Sequence, residues 1–183
     1  MEDLLKLKQI IDSIPINLNE KNIINFLKIK KRWPYKYPWG QPSVEIIPNQ
    51  ITNTQNSLFY DIDGYLNFDR WQYFYNLGFT TIISNVLDLN DDLRFLEKKI
   101  IEETGLNING NFYFSKPGKK ASFDAHKHEY NVLVKQIYGQ SKWKINEKTF
   151  IMKPQNSCII PRNSIHQVID KNEDKLSLTI NLL

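Results

Sequence analysis

The sequence has one cysteine, three histidines, two methionines and seven glycines among 183 residues. A lone thiol excludes an internal disulfide, and Cys158, followed by Ile159-Ile160, reads as a small apolar core residue rather than a nucleophile. No apolar run approaches the roughly 18 to 20 residues that a helical membrane span needs. The start, Met1-Glu2-Asp3-Leu4-Leu5, carries acids where a secretory leader carries bases, so the expected location is cytoplasmic and no membrane partner is expected. Neither charge dominates, with 24 Lys and Arg against 20 Asp and Glu for a net +4. The basic residues cluster once, at Lys28-Ile29-Lys30-Lys31-Arg32, ahead of Trp33, Tyr35, Tyr37 and Trp39. That stretch has the composition for phosphate pairing and base stacking on RNA. A solvated helix end leading into an aromatic part of the core is the simpler reading, and nucleic acid is not expected as a partner.

What is present is enough apolar material, 41% with 13% aromatic, to bury one core. The length suits a single domain over residues 1–183, with no internal repeat or low-complexity tail. Its expected parts are a helical and irregular wrap over 1–58 and a β-rich core over 59–183. Leu4, Leu7, Ile11 and Ile14 keep helical spacing up to Pro15, and Ile23, Ile24 and Leu27 continue it. Pro34, Pro38, Pro42 and Pro48 block long helices in 33–56. A helix is predicted over 68–77, and a second over 91–104, with Asn90 as its N-cap and Gly105 as its stop. Short runs rich in β-branched and aromatic residues predict strands at 79–84, 110–115, 128–138, 141–145, 158–160, 165–169 and 175–182. Their roughly 8 to 12 residue spacing points to a mainly β sandwich or barrel with N-terminal helices, not a parallel α/β sheet.

All three histidines lie in this β-rich part. His126 and His128 are two residues apart, so on an extended strand both rings point to the same face. His166, from a neighbouring strand, would complete three nitrogens around one point, a set suited to a divalent transition metal with open coordination positions. On spacing alone, Lys127-His128-Glu129-Tyr130 reads equally well as an exposed polar strand end.

The surrounding segments carry more. Asn111-Phe112-Tyr113-Phe114-Ser115-Lys116-Pro117-Gly118, then Ser122 to His128, then Asn131 to Trp143 with its Gln136-Ile137-Tyr138-Gly139-Gln140-Ser141-Lys142-Trp143 run, resemble the core of the Jumonji-C-type cupins. Ile160-Pro161-Arg162-Asn163-Ser164-Ile165-His166-Gln167 resembles that family's last metal-binding segment, and Leu176-Ser177-Leu178-Thr179-Ile180 its closing strand. The resemblance covers about 60–183 and is greatest to the ribosomal-oxygenase branch. It implies a double-stranded β-helix (cupin or jelly-roll barrel) and an Fe(II) dioxygenase that hydroxylates a peptide or protein side chain or a small metabolite, with 2-oxoglutarate and dioxygen. By position His126 is the first ligand and His166 the last, while His128 stands where the family has a carboxylate. Glu129, next door, would face away on a regular strand unless a bulge turned it.

Two departures follow. An all-imidazole set leaves a divalent ion with only neutral protein ligands, which makes an anionic co-ligand more important. The family's cation for the distal carboxylate of 2-oxoglutarate belongs two residues after the turn glycine, where Ser141 follows Gly139. Lys142 has the wrong parity, and Lys135 lies on the preceding strand. Tyr113 matches a family tyrosine near the cosubstrate, and Ser141 and Ser115 are the hydroxyls expected to hydrogen-bond a carboxylate. Asn131 and Gln136 are expected to line or brace the barrel, Trp143 to fill its core and Arg162 to sit at its rim. Alternatives are a three-histidine cupin oxygenase independent of 2-oxoglutarate and a non-catalytic metal- or ligand-binding cupin. A homodimer is compatible with all of these.

Overall fold

The computed structural model describes residues 2–29, 44–47, 65–117, 123–170 and 173–183. Residues 30–32 of the basic cluster, Trp33, Tyr35, Tyr37, Trp39, the four prolines between 34 and 48, and positions 48–56 and 118–122 lie outside the described residues. The elements in chain order are α1 (Glu2–Ser13), α2 (Glu20–Ile29), β1 (Val44–Ile47), α3 (Phe68–Asn76), β2 (Thr80–Ser84), α4 (Asp91–Thr104) and β3 (Ile108–Ser115). They are followed by β4 (Asn131–Tyr138), β5 (Ser141–Ile145), β6 (Lys148–Met152), β7 (Ser157–Ile160), β8 (His166–Asp170) and β9 (Lys175–Leu182).

Helix α4 has the bounds its caps dictate: Asn90 accepts from the Leu93 amide, and Gly105 ends it in the left-handed region at φ 66°. Its buried stripe is Leu93, Leu96 and Ile100. Asn67 caps α3 in the same way, and Trp71 and Tyr75 are the face that helix buries.

Among the described residues two antiparallel sheets form the barrel, one of six strands in the order β1-β2-β3-β9-β4-β7 and one of three in the order β6-β5-β8. The large sheet separates two environments. Its outer face, with Ile83, Phe112, Phe114, Leu133, Leu176, Leu178 and Ile180, packs on Leu7, Ile11, Trp71, Tyr75 and Leu96 of the helices. Its inner face opposes the small sheet, where Val132, Val134, Trp143, Met152 and Ile160 form a second, smaller cluster. Trp71 stacks near Phe114 and donates its indole N–H to Thr81 Oγ1 at 2.9 Å.

Lys135 is fully buried on the helix side and donates Nζ to the Ile11 carbonyl at 2.6 Å, tying the end of α1 to β4. Burial pulls its ammonium below the ordinary lysine range. Ser157 donates to Asp12 beside it.

Two strands escaped the sequence reading, and one is shorter than expected. β1 is four residues long and lies in the proline-rich stretch; β6 buries only Met152 fully, so neither offers a clear alternation. The strand expected to begin at His128 begins at Asn131, after a bend at Glu129-Tyr130.

Candidate metal centre

The segment carrying His126 is held to β8 by a reciprocal backbone pair: His126 N to His166 O at 3.2 Å, and His166 N to His126 O at 2.8 Å. Gln167 Nε2 donates to the Phe123 carbonyl, and the Asn163 amide donates to the His128 carbonyl at 2.7 Å. These bonds bring three rings together at steep angles to one another, with centroids 5.0 Å apart for His126 and His128, 4.4 Å for His126 and His166, and 5.1 Å for His128 and His166. One nitrogen from each lies within 4.8 Å of the other two.

The tautomers favour a metal. His126 Nδ1 lies 2.8 Å from the Asp124 carbonyl, and His166 Nδ1 lies 3.0 Å from the Ser164 carbonyl. A carbonyl only accepts, so each Nδ1 carries the proton and each Nε2 keeps its lone pair. His128 is oriented instead by Tyr130, stacked at 5.1 Å with 12° between planes. Glu129 is exposed and outside the cluster, so the all-imidazole donor set fits a divalent transition ion without a carboxylate.

Burial, then His166 and His126, hold the His128 imidazole below the usual range; burial, with His126, does the same for His166, against the Ser164 carbonyl. The folded chain therefore favours neutral rings, while the unfolded chain takes up protons once pH falls below about 6.5. The stabilising difference is complete above that value and is lost as pH drops toward the depressed folded values. In the metal-free protein, the urea midpoint is expected to fall from pH 7.5 to pH 5 by more in the wild type than in a His128→Gln, His166→Gln double variant. An equal fall in both would refute this origin.

The three rings line one end of a cavity of ≈ 60 Å³ between the sheets, shared with Tyr113, Val134, Trp143, Lys175, Ser177 and Thr179 among others. Tyr113, His128 and Thr179 also border a wider groove of ≈ 550 Å³ walled by Asn85, Asn109, Asn111, Asn181, Ser84, Tyr130 and Glu45. Asn181 donates to Asn109 Oδ1 at 2.7 Å, a polar ladder across β3 and β9. Tyr113 is held protonated by burial.

The remaining expected site residues divide. Trp143 lines the cavity, whereas Asn131 braces the rim by accepting from the Arg162 amide at 2.9 Å. Gln136 is completely satisfied: its Oε1 accepts from Ser141 at 2.8 Å and Ser177 at 3.0 Å, and its Nε2 donates to the Tyr138 and Leu176 carbonyls. Ser141 thereby commits its only proton to Gln136 while accepting from Trp143 Nε1 at 2.9 Å. It has no donor left for a carboxylate, which corrects the expectation placed on it. Lys142 is exposed, and Lys135 points to the helices. Cys158 is a half-buried thiol that burial pushes up to about 12, consistent with an inert core residue.

Sequence reasoning missed Lys175, 3% exposed in the cavity wall. The signal was the strict alternation Lys175-Leu176-Ser177-Leu178-Thr179-Ile180-Asn181-Leu182, once the leucines are known to face the helices.

The paired antiparallel sheets with the histidines at one mouth define a cupin barrel. Residues 85–175, about half of the chain, match the JmjC domain family. Among solved structures, YcfD, a ribosomal oxygenase from Escherichia coli, is similar at 17% identity and TM-score 0.51, over 57% of this chain and 31% of that one. The chain thus spans about a third of that protein's length. A cupin superfamily protein from Desulfitobacterium hafniense is similar at 14% identity and TM-score 0.38, over 42% of this chain and 67% of that one. The plu4264 protein of Photorhabdus luminescens is 32% identical at TM-score 0.38, over 44% of this chain and 68% of that one. No curated protein matches.

Proposed function

We propose that the protein is a mononuclear non-haem iron dioxygenase, a hydroxylase that uses 2-oxoglutarate. The observation that carries this reading is the convergence of three imidazoles, two with their Nδ1 protons directed to backbone carbonyls, at the mouth of a cavity walled by a buried lysine. His126, His128 and His166 would hold Fe(II). Iron in such a site supplies the redox chemistry that couples dioxygen to oxidation of a C–H bond. The chain's own residues do the rest. Tyr130 and the Asp124 and Ser164 carbonyls fix the rings, and Val132, Val134 and Ile160 of the large sheet together with Trp143 of the small one give the inner cavity an apolar wall. The wide asparagine-lined groove on the His128 side receives the substrate, a peptide side chain or a polar small molecule, by hydrogen bonds to its asparagines. The JmjC domain and the likeness to a ribosomal oxygenase support an oxygenase over a binding-only cupin.

A second reading, a three-histidine oxygenase without a keto acid, is favoured by the neutral donor set alone. The test is iron-dependent conversion of 2-oxoglutarate to succinate, measured with and without candidate substrates. Conversion that requires Fe(II) and ceases with chelator supports the proposal. Substrate oxidation that proceeds undiminished without 2-oxoglutarate selects the second reading and rejects the first.

A further inference from the structure

We propose that Glu45 anchors a positively charged nitrogen of the substrate at the far end of the asparagine-lined groove, about two strand spacings from the carbon that is oxidised. This rests on the proposed function for the chemistry at the histidines and names the substrate that reaches them: an amine or basic peptide whose charge is remote from the reacting carbon. Val44 and Ile46 are buried against the helices, so strand parity turns Glu45 and Ile47 to the inner face. Ile47 there lines the cavity that holds the histidines, and Glu45 lines the groove. In register, Glu45 stands opposite Ile82 on β2, and Ile82 opposite Tyr113 on β3. Adjacent strands lie about 4.7 to 4.9 Å apart, so Glu45 is roughly 10 Å from Tyr113 across the sheet. Tyr113 and His128 border both spaces, so they mark the histidine end and Glu45 the other. A charge carried on the reacting side chain itself would stay within a few bonds of the histidines, whereas Glu45 fits a flanking basic group or the distant end of an extended amine.

The groove has one acidic side chain and no counter-ion for it. Among the described residues lining it there is no lysine or arginine, and His128 is held toward its neutral form. Glu45 is half-buried and has neither an ion pair nor a side-chain hydrogen bond, and burial raises its carboxyl above the ordinary range. Glu45 and Tyr130 add to burial in keeping the Tyr113 phenol protonated, which places the three groups near one another. A carboxylate only accepts, and a partly desolvated one is costly until a donor meets it; an ammonium or guanidinium does so most strongly. A neutral amide or hydroxyl ligand would be served as well by a glutamine, so the acid selects charge. Between the two ends, Asn181 donates to Asn109 and Asn111 accepts from the Asn85 amide, a wall that offers amide groups to the neutral part of the ligand. β1 lies outside the residues 85–175 that match the JmjC family, so the anchor comes from this chain's own N-terminal part.

The probes are the peptide acetyl-Gly-Lys-Gly-amide, its norleucine isostere with the same stem and no ammonium, and spermidine as a free amine. Each is titrated calorimetrically into the metal-free and zinc-loaded full chain. Wild type should bind the lysine peptide roughly 10-fold or more tightly than the norleucine peptide, the lower end for a hydrogen bond to a charged group. Glu45→Gln should erase that ratio with zinc affinity unchanged, and Glu45→Asp should keep part of it. Equal affinities for the two peptides in wild type overturn the anchor, and so does a ratio that persists in Glu45→Gln. If that variant does not fold, the wild-type ratio should shrink from low to high salt, and a constant ratio overturns the anchor. Tighter spermidine binding assigns a free amine and tighter peptide binding a basic peptide, both in support; no binding of either overturns the proposal. In the Mn(II)-loaded chain, proton relaxation of the bound lysine peptide should be enhanced least at the ε-methylene, and strongest enhancement there refutes a remote anchor. Zinc uptake without a lysine preference overturns the anchor while the iron reading stands. A preference that depends on Glu45 in a chain that takes up no metal supports the anchor and refutes the iron reading.

Discussion

Replacing His166 by alanine is expected to abolish stoichiometric metal binding while leaving the chain folded. His166 is the most buried of the three histidines, at 5% exposure, and its backbone makes the reciprocal pair with His126, which alanine preserves. The side chain supplies one of the three donors that the described residues bring together. Loss of an outer-shell partner alone typically weakens a metal site by roughly 10- to 100-fold, so loss of a direct ligand from a neutral triad should exceed that. Titration of Zn(II) or Fe(II) against a competing chelator measures it. His128→Ala should be as damaging, whereas Glu129→Ala, at an exposed carboxylate outside the cluster, should leave affinity within a few-fold of wild type. A strong effect at Glu129 with none at His128 would mean that the bend before β4 turns the acid inward, contrary to the geometry described.

Gly139→Ala is expected to be the most destabilising single-methyl addition in the barrel. Gly139 has φ +68°, and a Cβ there would sit 2.0 Å from the Asp174 carbonyl oxygen and 2.9 Å from the Lys175 Cα. Both obstacles are backbone, so no side-chain rotation relieves them. The left-handed conformation costs a non-glycine residue about 1–2 kcal/mol, and overpacking adds typically 1–3 kcal/mol. A loss of about 2–5 kcal/mol follows, a Tm drop of roughly 4–20 °C at 2–4 °C per kcal/mol. Gly105→Ala makes a control: it carries the same left-handed strain, φ +66°, with nothing within 4 Å of the added methyl. Equal losses at both glycines would show that close approach of β9 contributes nothing.

These two sites mark how far the sequence could be read. The bounds of α4, β5 and β9 were legible because each carries its own local signal: a cap at either end of α4, and strict period-two alternation in the strands. The histidine cluster was legible because H-x-H spacing fixes a shared face even where, as here, His126 lies on an isolated bridge rather than in a regular strand. β6 was not legible, since a polar edge strand with mostly exposed side chains has no alternation to detect. The state of the hydroxyls expected to meet a carboxylate was hidden for a different reason. Which of Ser115, Ser141 and Ser177 still has a proton to give depends on Gln136, whose partners come from β5 and β9 and are set by register, not by spacing along the chain. Lys175 was missed because alternation assigns two faces without saying which one is the cavity; leucines usually mark the barrel interior, and in this sheet they mark the helix side.

The most direct measurement is an anomalous difference map from crystals of the full chain loaded with Zn(II) as a redox-inert stand-in for iron. The account predicts one peak bonded to His126, His128 and His166 at about 2.0–2.1 Å from an imidazole nitrogen of each, the normal Zn–N distance. A map without a peak among the three rings, or with the metal held by Glu129 in place of His128, would contradict it.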